Sequence, residues 1–152
     1  MVGYSIKVDP ENTARAIGLE LRISPKHSLE ICNAIRGMKL EDAKKYLEEV
    51  VELKAAVPFK RYKKYVSHRR GKGFGPGRFP QRAAKEVLRL LESVEHNAEY
   101  GGLDTENVRI KHITAYRGRV YQGRKPRAHG RATDWNTDTV NIEIIVEEIE
   151  QQ

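Results

Sequence analysis

One cysteine in 152 residues, Cys32, rules out an internal disulfide and any zinc site built from several thiolates. No apolar run approaches the roughly 18 residues of a membrane span, and the N-terminus carries no signal-peptide core, so a cytoplasmic protein is expected. Catalytic groupings are equally scarce. His27, His68, His96, His112 and His129 are scattered, and no pair stands four residues apart beside a carboxylate. A metal-dependent nuclease needs clustered carboxylates, yet the two most basic stretches contain no acid at all. Each histidine therefore reads as a surface or phosphate-contacting residue, and Cys32, on an apolar helix face, as core packing. A non-enzyme with no metal and no cofactor is expected.

What the chain has instead is segregated positive charge. Residues 54–85 hold eleven Lys/Arg and Arg117–Arg131 hold six, together 17 of the 28 in the chain. The other segments carry 11 basic residues against all 21 acids, so the net +7 hides two cationic blocks on an acidic remainder. Segregation on this scale sets up local positive fields that attract polyanions. No amphipathic basic helix with exposed aromatics accompanies it, which favours nucleic acid over an anionic membrane.

The order of elements is one strand, three helices and a long hairpin. Leu19, Leu21 and Ile23 alternate with Glu20 and Arg22, so a half-buried strand is expected over 14–23. Ser24-Pro25 reads as a side-chain cap followed by proline in the first turn of a helix, which stops at Gly37. A second helix is expected over 40–54, ended by Pro58, and a third from Pro80 to about Glu99, closed by Gly101-Gly102. Val108 to Tyr116 is β-branched and aromatic, and Val140 to Val146 alternates; joined through 123–130 they read as one antiparallel hairpin over about 108–149, before an acidic tail from Glu147. The fold class is α+β, a three-stranded antiparallel sheet packed by about three helices in a single domain over 1–152, with the hairpin protruding. A strand from Val108 to Arg124 would run about 55 Å at ~3.3 Å per residue, whereas a globule of this length is roughly 40 Å across. The ribbon must overhang its body.

Two motifs carry the charge. On the hairpin, Arg117, Arg119 and Tyr121 share a face by alternation, with Arg124, Lys125, Arg127 and Arg131 beyond them; arginine makes bidentate phosphate contacts and stacks on bases. Trp135, just past the tip, either covers the hairpin base or stacks on a nucleotide. In the loop, Lys60, Arg61, Lys63, Lys64, Arg69, Arg70, Lys72 and Arg78, with Arg82 beyond, interleave with Tyr62, Tyr65, Phe74 and several glycines. The glycine spacing is not that of a nucleotide-binding P-loop. An extended loop that threads along RNA and orders on binding is expected.

The pattern Gln122, four residues, Arg127-Ala128-His129-Gly130-Arg131, nine residues, Asn141-Ile142-Glu143-Ile144-Ile145-Val146 resembles the universal large-subunit ribosomal protein family numbered twenty-two in bacteria and archaea and seventeen in eukaryotes. Ser24-Pro-Lys-His-Ser-Leu-Glu-Ile31, Ile35-Arg-Gly37 and Ala56-Val-Pro-Phe-Lys-Arg-Tyr62 look like its archaeal and eukaryotic branch, and the likeness covers essentially the whole chain. It implies a structural constituent of the large subunit that binds 23S-type rRNA and supports assembly. The globular part would lie near the polypeptide exit, and the hairpin would line the exit tunnel. Arg124, Lys125, Pro126, Arg127, Ala128, His129, Gly130 and Arg131 would form the tunnel-lining tip. The implied partners are rRNA, neighbouring ribosomal proteins and the nascent polypeptide, with no membrane and no small-molecule substrate; within the ribosome the chain would be a monomer. His129 stands where bacterial relatives usually carry Lys or Arg, so a lower, pH-dependent tip charge is expected. The rival readings are a DNA-architectural protein whose proline-tipped ribbon wedges Pro126 between base steps, and an RNA-processing enzyme.

Overall fold

The computed structural model describes residues 3–8, 12–70 and 75–149, so Lys72 and Phe74 lie outside the described residues. Strand β1 (Thr13–Leu21) leads to helices α1 (Pro25–Ile35) and α2 (Leu40–Val51). Two-residue strands β2 (Val57–Pro58) and β3 (Gly77–Arg78) bracket the basic loop, and helix α3 (Gln81–Tyr100) comes next. A short 3-10 turn (Thr105–Asn107) enters the hairpin, built from β4 (Val108–Tyr121), β5 (Arg124–Pro126), β6 (Ala132–Asp134) and β7 (Thr137–Glu148). The strand therefore runs two residues into the segment expected to be an acidic tail.

The last strand is the centre of the sheet, with the order β1-β7-β4 and both pairings antiparallel. Ala14, Ala16 and Gly18 register against Val146, Ile144 and Ile142, and Ile113 and Ala115 against Ile144 and Ile142, so these residues share one face. Helices α1 and α3 pack there. Gly18 marks the closest approach: a Cβ on it would stand 2.9 Å from the Leu90 Cδ1 methyl. The core joins Ile31, Ile35, Leu47, Val87, Leu91 and Val94 from the helices to Ile110, Ile113, Val140, Ile142, Ile144 and Val146 from the sheet. Each such side chain contributes roughly 1.5–3 kcal/mol by leaving water. Cys32 is buried in this core, and burial pushes its thiol up to about 12, as its packing role requires.

Several local expectations change. Strand β1 ends at Leu21 and is buried in the opposite phase, through Ala14 and Ala16, which leaves Leu19 47% exposed; a register shift between Gly18 and Leu21, where Glu20 takes a positive φ of 53°, then sets Leu21 opposite Val140. Ser24 begins α1 without a side-chain cap; its carbonyl instead accepts from the Ser28 amide and hydroxyl at 3.0 and 2.9 Å. Helix α2 ends at Val51, well before Pro58. Leu53 turns left-handed there (φ 65°), and the amides of Lys54 and Ala55 fold back onto the Glu49 carbonyl. Gly37 does take the left-handed terminal position after α1 (φ 80°), its amide donating to the Ile110 carbonyl at 3.0 Å.

The sheet's other face is partly covered by residues 3–8. The Ser5 amide donates to Glu143 Oε2 at 3.0 Å and its hydroxyl to Oε1, while His112 Nε2 lies 3.1 Å from Oε1. These bonds satisfy a Glu143 side chain with no solvent exposure at all. Serine and glutamate meet the same ring nitrogen of His112, so the imidazole does not relay a proton from one to the other as a hydrolase triad requires.

Candidate nucleic-acid interface

The basic loop is shaped by a residue that composition gave no reason to single out. Glu30 points from α1 to the loop's first turn, where its carboxylate accepts the amides of Lys60, Arg61 and Tyr62 at 3.1, 2.8 and 2.8 Å. The residue is completely buried, with no cation within 4.0 Å of its carboxylate among the described residues; three backbone dipoles do the solvating. Farther along, the Phe59 amide donates to the Pro76 carbonyl, the Arg69 amide to Gly75 and the Gly77 amide to Ser67. The loop's first turn is thus tied to α1, and its other described parts are bonded across the loop to one another.

Fixing the loop backbone turns its side chains outward onto aromatic rings. Arg61 lies over Tyr62 at 5.8 Å from the ring centre, Lys64 over Tyr65 at 5.2 Å, Arg69 over Phe79 at 5.3 Å and Arg78 over Phe59 at 6.0 Å. A cation held over a ring keeps its N–H groups free for an external acceptor. Lys60, Lys63, Arg70 and Arg82 have no carboxylate within 4.0 Å among the described residues. Of the fourteen described cations singled out in the sequence, two are so paired: Arg117 with Asp138 at 3.2 Å and Arg124 with Asp134 at 3.8 Å.

The hairpin pairs from Val108–Glu148 to Tyr121–Thr137 and again from Arg124–Asp134 to Pro126–Ala132. Strand β1 accompanies β7 only as far as Val140. Beyond it the ribbon is two-stranded, and every residue from 124 to 137 is exposed. The expected row of Arg117, Arg119 and Tyr121 on one face does not form. A bulge between Arg117 and Val120 inserts a residue, so Arg117 shares the helix-side face with its partner Val140, while Tyr121, paired with Thr137, points to the other. Arg119 accompanies Tyr121, lying 5.8 Å from its ring centre, and Arg22 approaches the same ring at 5.7 Å. The Tyr121 hydroxyl donates to Glu20 Oε2 at 2.7 Å, which ties the ribbon to the end of β1 and raises the phenol's pKa. Gly118 makes the bulge possible: a Cβ there would stand 2.7 Å from Thr139 Oγ1 and 2.9 Å from Asn141 Oδ1.

At the tip, the Arg127 amide donates to the Arg131 carbonyl at 2.8 Å, and His129 and Gly130 both adopt left-handed φ, 60° and 66°. Pro126 is paired with Ala132 in the leg of the ribbon, so the apex is His129-Gly130 and the arm is not proline-tipped. Trp135 belongs to the distal ribbon too. Lys125 Nζ sits 4.6 Å from its ring centre, and the side chain is 57% exposed rather than covering the hairpin base.

The basic loop and the base of the hairpin open onto clefts on either side of His27. On one side this histidine lines a cleft with Lys26, Arg61, Lys64 and Arg78. On the other it lines a second cleft that reaches Arg82 and Asp138 of the hairpin base. Burial, helped by the field of Arg78, holds the imidazole below its usual 6.5, so it is neutral at pH 7. The sequence marks His27 only as one of five scattered histidines and Arg22 only as a polar position in a strand, because both lie outside the acid-free blocks. Among the described residues no group of His, Cys, Asp and Glu is arranged to hold a metal ion, and no helix is long and apolar enough to cross a membrane.

Comparison with known proteins agrees with the resemblance carried by the 122–146 pattern. The family described as Ribosomal protein L22p/L17e matches residues 16–147. Similar proteins include the large ribosomal subunit protein uL22 of Methanopyrus kandleri, 56% identical over 150 residues and spanning 95% of this chain and 94% of that protein. Those of Methanoculleus marisnigri and Methanocella arvoryzae are 53% and 50% identical, each alignment spanning 97% of both chains. With a match across nearly its whole length and relatives at half identity or better, the chain belongs to the ribosomal protein L22p/L17e family.

Proposed function

We propose that this chain is a non-catalytic structural constituent of the large ribosomal subunit, working in the cytoplasm as part of that particle. Its basic loop and hairpin bind large-subunit rRNA, fixing RNA segments relative to one another. The observation that carries this reading is the state of the cations: twelve of the fourteen described site cations have no carboxylate within 4.0 Å among the described residues, and the hairpin's lie on a ribbon that runs beyond the sheet's third strand. Unpaired like charges at that density repel one another, and a polyanion relieves the repulsion. The globular part sits near the polypeptide exit, and the tip from Arg124 to Arg131 borders the tunnel. Neighbouring ribosomal proteins and the nascent chain complete the partners.

The DNA-architectural alternative loses its wedge, since Pro126 is held in the ribbon leg and the apex residues are His129 and Gly130. Crosslinking from positions 124–131 in assembled subunits carrying a stalled nascent chain tests the placement. Crosslinks to both tunnel-wall rRNA and the nascent polypeptide are expected. Crosslinks confined to the solvent side of the subunit would refute it.

A further inference from the structure

Where β1 passes into α1, a cleft of about 460 Å³ opens between residues 22–27, the start of α3 and the base of the hairpin at Thr137 and Asp138. Arg22, His27 and Arg82 line it. Neither arginine has a carboxylate within 4.0 Å among the described residues. The acid in its wall, Asp138, is already engaged by Arg117 at 3.2 Å, so the cleft keeps an excess of positive charge. Two helices begin here, and neither is capped by a side chain: Ser24 makes no cap bond and Pro80 has none to make. The amides of Lys26 and His27 in one helix, and of Arg82 and Ala83 in the other, have no acceptor within their helices. Two separate guanidinium forks flanking such donors match the oxygens of a phosphate.

We propose that this cleft seats one phosphodiester group of the bound RNA, with Arg22 and Arg82 as its charged ligands and His27 as a further donor. The inference rests on the RNA-binding reading and adds the place where the backbone is fixed. A diester within a strand fits better than a free phosphate, because the cleft is open and continues past His27 onto the wall formed by Arg61, Lys64 and Arg78. A strand leaving the seat runs on over cations in one direction and reaches the hairpin in the other. The seat thereby sets the angle at which RNA passes from loop to ribbon.

The test uses the full chain and deproteinised large-subunit rRNA, with filter binding monitored from 50 to 200 mM KCl. The double variant Arg22→Gln/Arg82→Gln is compared with Lys39→Gln/Lys45→Gln, which removes the same charge away from the cleft. The cleft variant is expected to bind about tenfold or more weakly, with a log–log salt slope shallower by about one, while the control stays within about threefold of wild type. Arg82→Gln alone serves if the double variant unfolds, and is expected to show the same flattening in part. In parallel, His27 ring resonances are expected to shift on adding rRNA and to move little with millimolar inorganic phosphate. Wild-type slope and affinity in the cleft variants would overturn the seat while leaving the RNA reading intact. Saturation by inorganic phosphate with no response to rRNA would also overturn it, assigning the cleft to a free anion. Absence of salt-dependent rRNA binding by wild type would sink both.

Discussion

Replacing Glu30 by glutamine keeps the shape of the side chain and removes its charge, and the three hydrogen bonds it accepts set the cost. Arg61 and Tyr62 donate to one carboxylate oxygen at 2.8 Å each and Lys60 to the other at 3.1 Å. A glutamine oxygen in the first position retains two of these bonds in neutral form, while its NH₂ turns a donor toward the Lys60 amide. A hydrogen bond to a charged group contributes about 1.5–3 kcal/mol and a neutral one about 0.5–1.5 kcal/mol. Weakening two bonds by roughly 1 kcal/mol each and losing the third gives about 4 kcal/mol. Relief of the buried carboxylate's desolvation offsets part of this, leaving a net loss of about 2 kcal/mol. For a chain of this size that lowers Tm by about 4–8 °C. Urea unfolding monitored by circular dichroism reads the stability, and amide hydrogen exchange reads the site: Lys60 is expected to lose protection, while Arg61 and Tyr62 keep most of theirs. Affinity for rRNA is expected to fall as well, although Glu30 lies buried beneath the loop. Stability within about 0.5 kcal/mol of wild type, together with unchanged exchange at Lys60, would refute the claim that this carboxylate holds the loop.

Two glycines that look alike in sequence are expected to respond differently to alanine. Gly118→Ala presses a methyl on Thr139 and Asn141, whose side chains are held by bonds to the Arg119 carbonyl and the Glu20 amide, so a loss of about 2 kcal/mol is expected by thermal denaturation. Gly18→Ala meets the ends of the Leu90 and Leu21 side chains, which can shift, and is expected to cost under about 1 kcal/mol; equal losses would mean the bulge is not the constraint. Stability should also carry an acid limb from Glu147. The Lys111 ammonium, hydrogen-bonded to its carboxylate with Arg109 alongside, holds its pKa below 4.5, so the stabilisation is present above that value and is lost as pH falls through the folded-state pKa. Glu147→Gln is expected to flatten the urea midpoint between about pH 5 and 3, and an unchanged acid slope would contradict the assignment.

The helices and the sheet were legible because their signals are local. Apolar spacing in α2 and α3, Gly37 after α1 and alternation in β7 each arise from backbone geometry within a few residues. The features that were not legible depended on a partner elsewhere. The bulge at Gly118-Arg119 breaks the alternation that would have aligned Arg117 with Tyr121, and its cause is packing across the strand pair on Thr139 and Asn141. Glu30 looked like one more charge on a helix, because its three donors are backbone amides some thirty residues away that composition does not distinguish. Charge marked the candidate interface by block, but its seam was hidden. Arg22 and His27 belong to neither block and enter only where the strand β1, the α1 start and the hairpin base meet.

The central claim is that the protruding ribbon grips rRNA, and excising its distal part tests that most directly. Residues 122–136 are replaced by Asn-Gly, closing the hairpin at the paired Tyr121 and Thr137. The excised segment contributes nothing to the buried core, so stability should stay within about 1 kcal/mol of wild type. It removes Arg124, Lys125, Arg127 and Arg131. For the intact chain, ~6–10 phosphate contacts imply a roughly 10³–10⁵-fold loss of rRNA affinity between 50 and 200 mM salt. The shortened chain should bind more weakly, with a salt slope shallower by about three. A folded, shortened chain that binds rRNA with the wild-type affinity and slope would contradict the account.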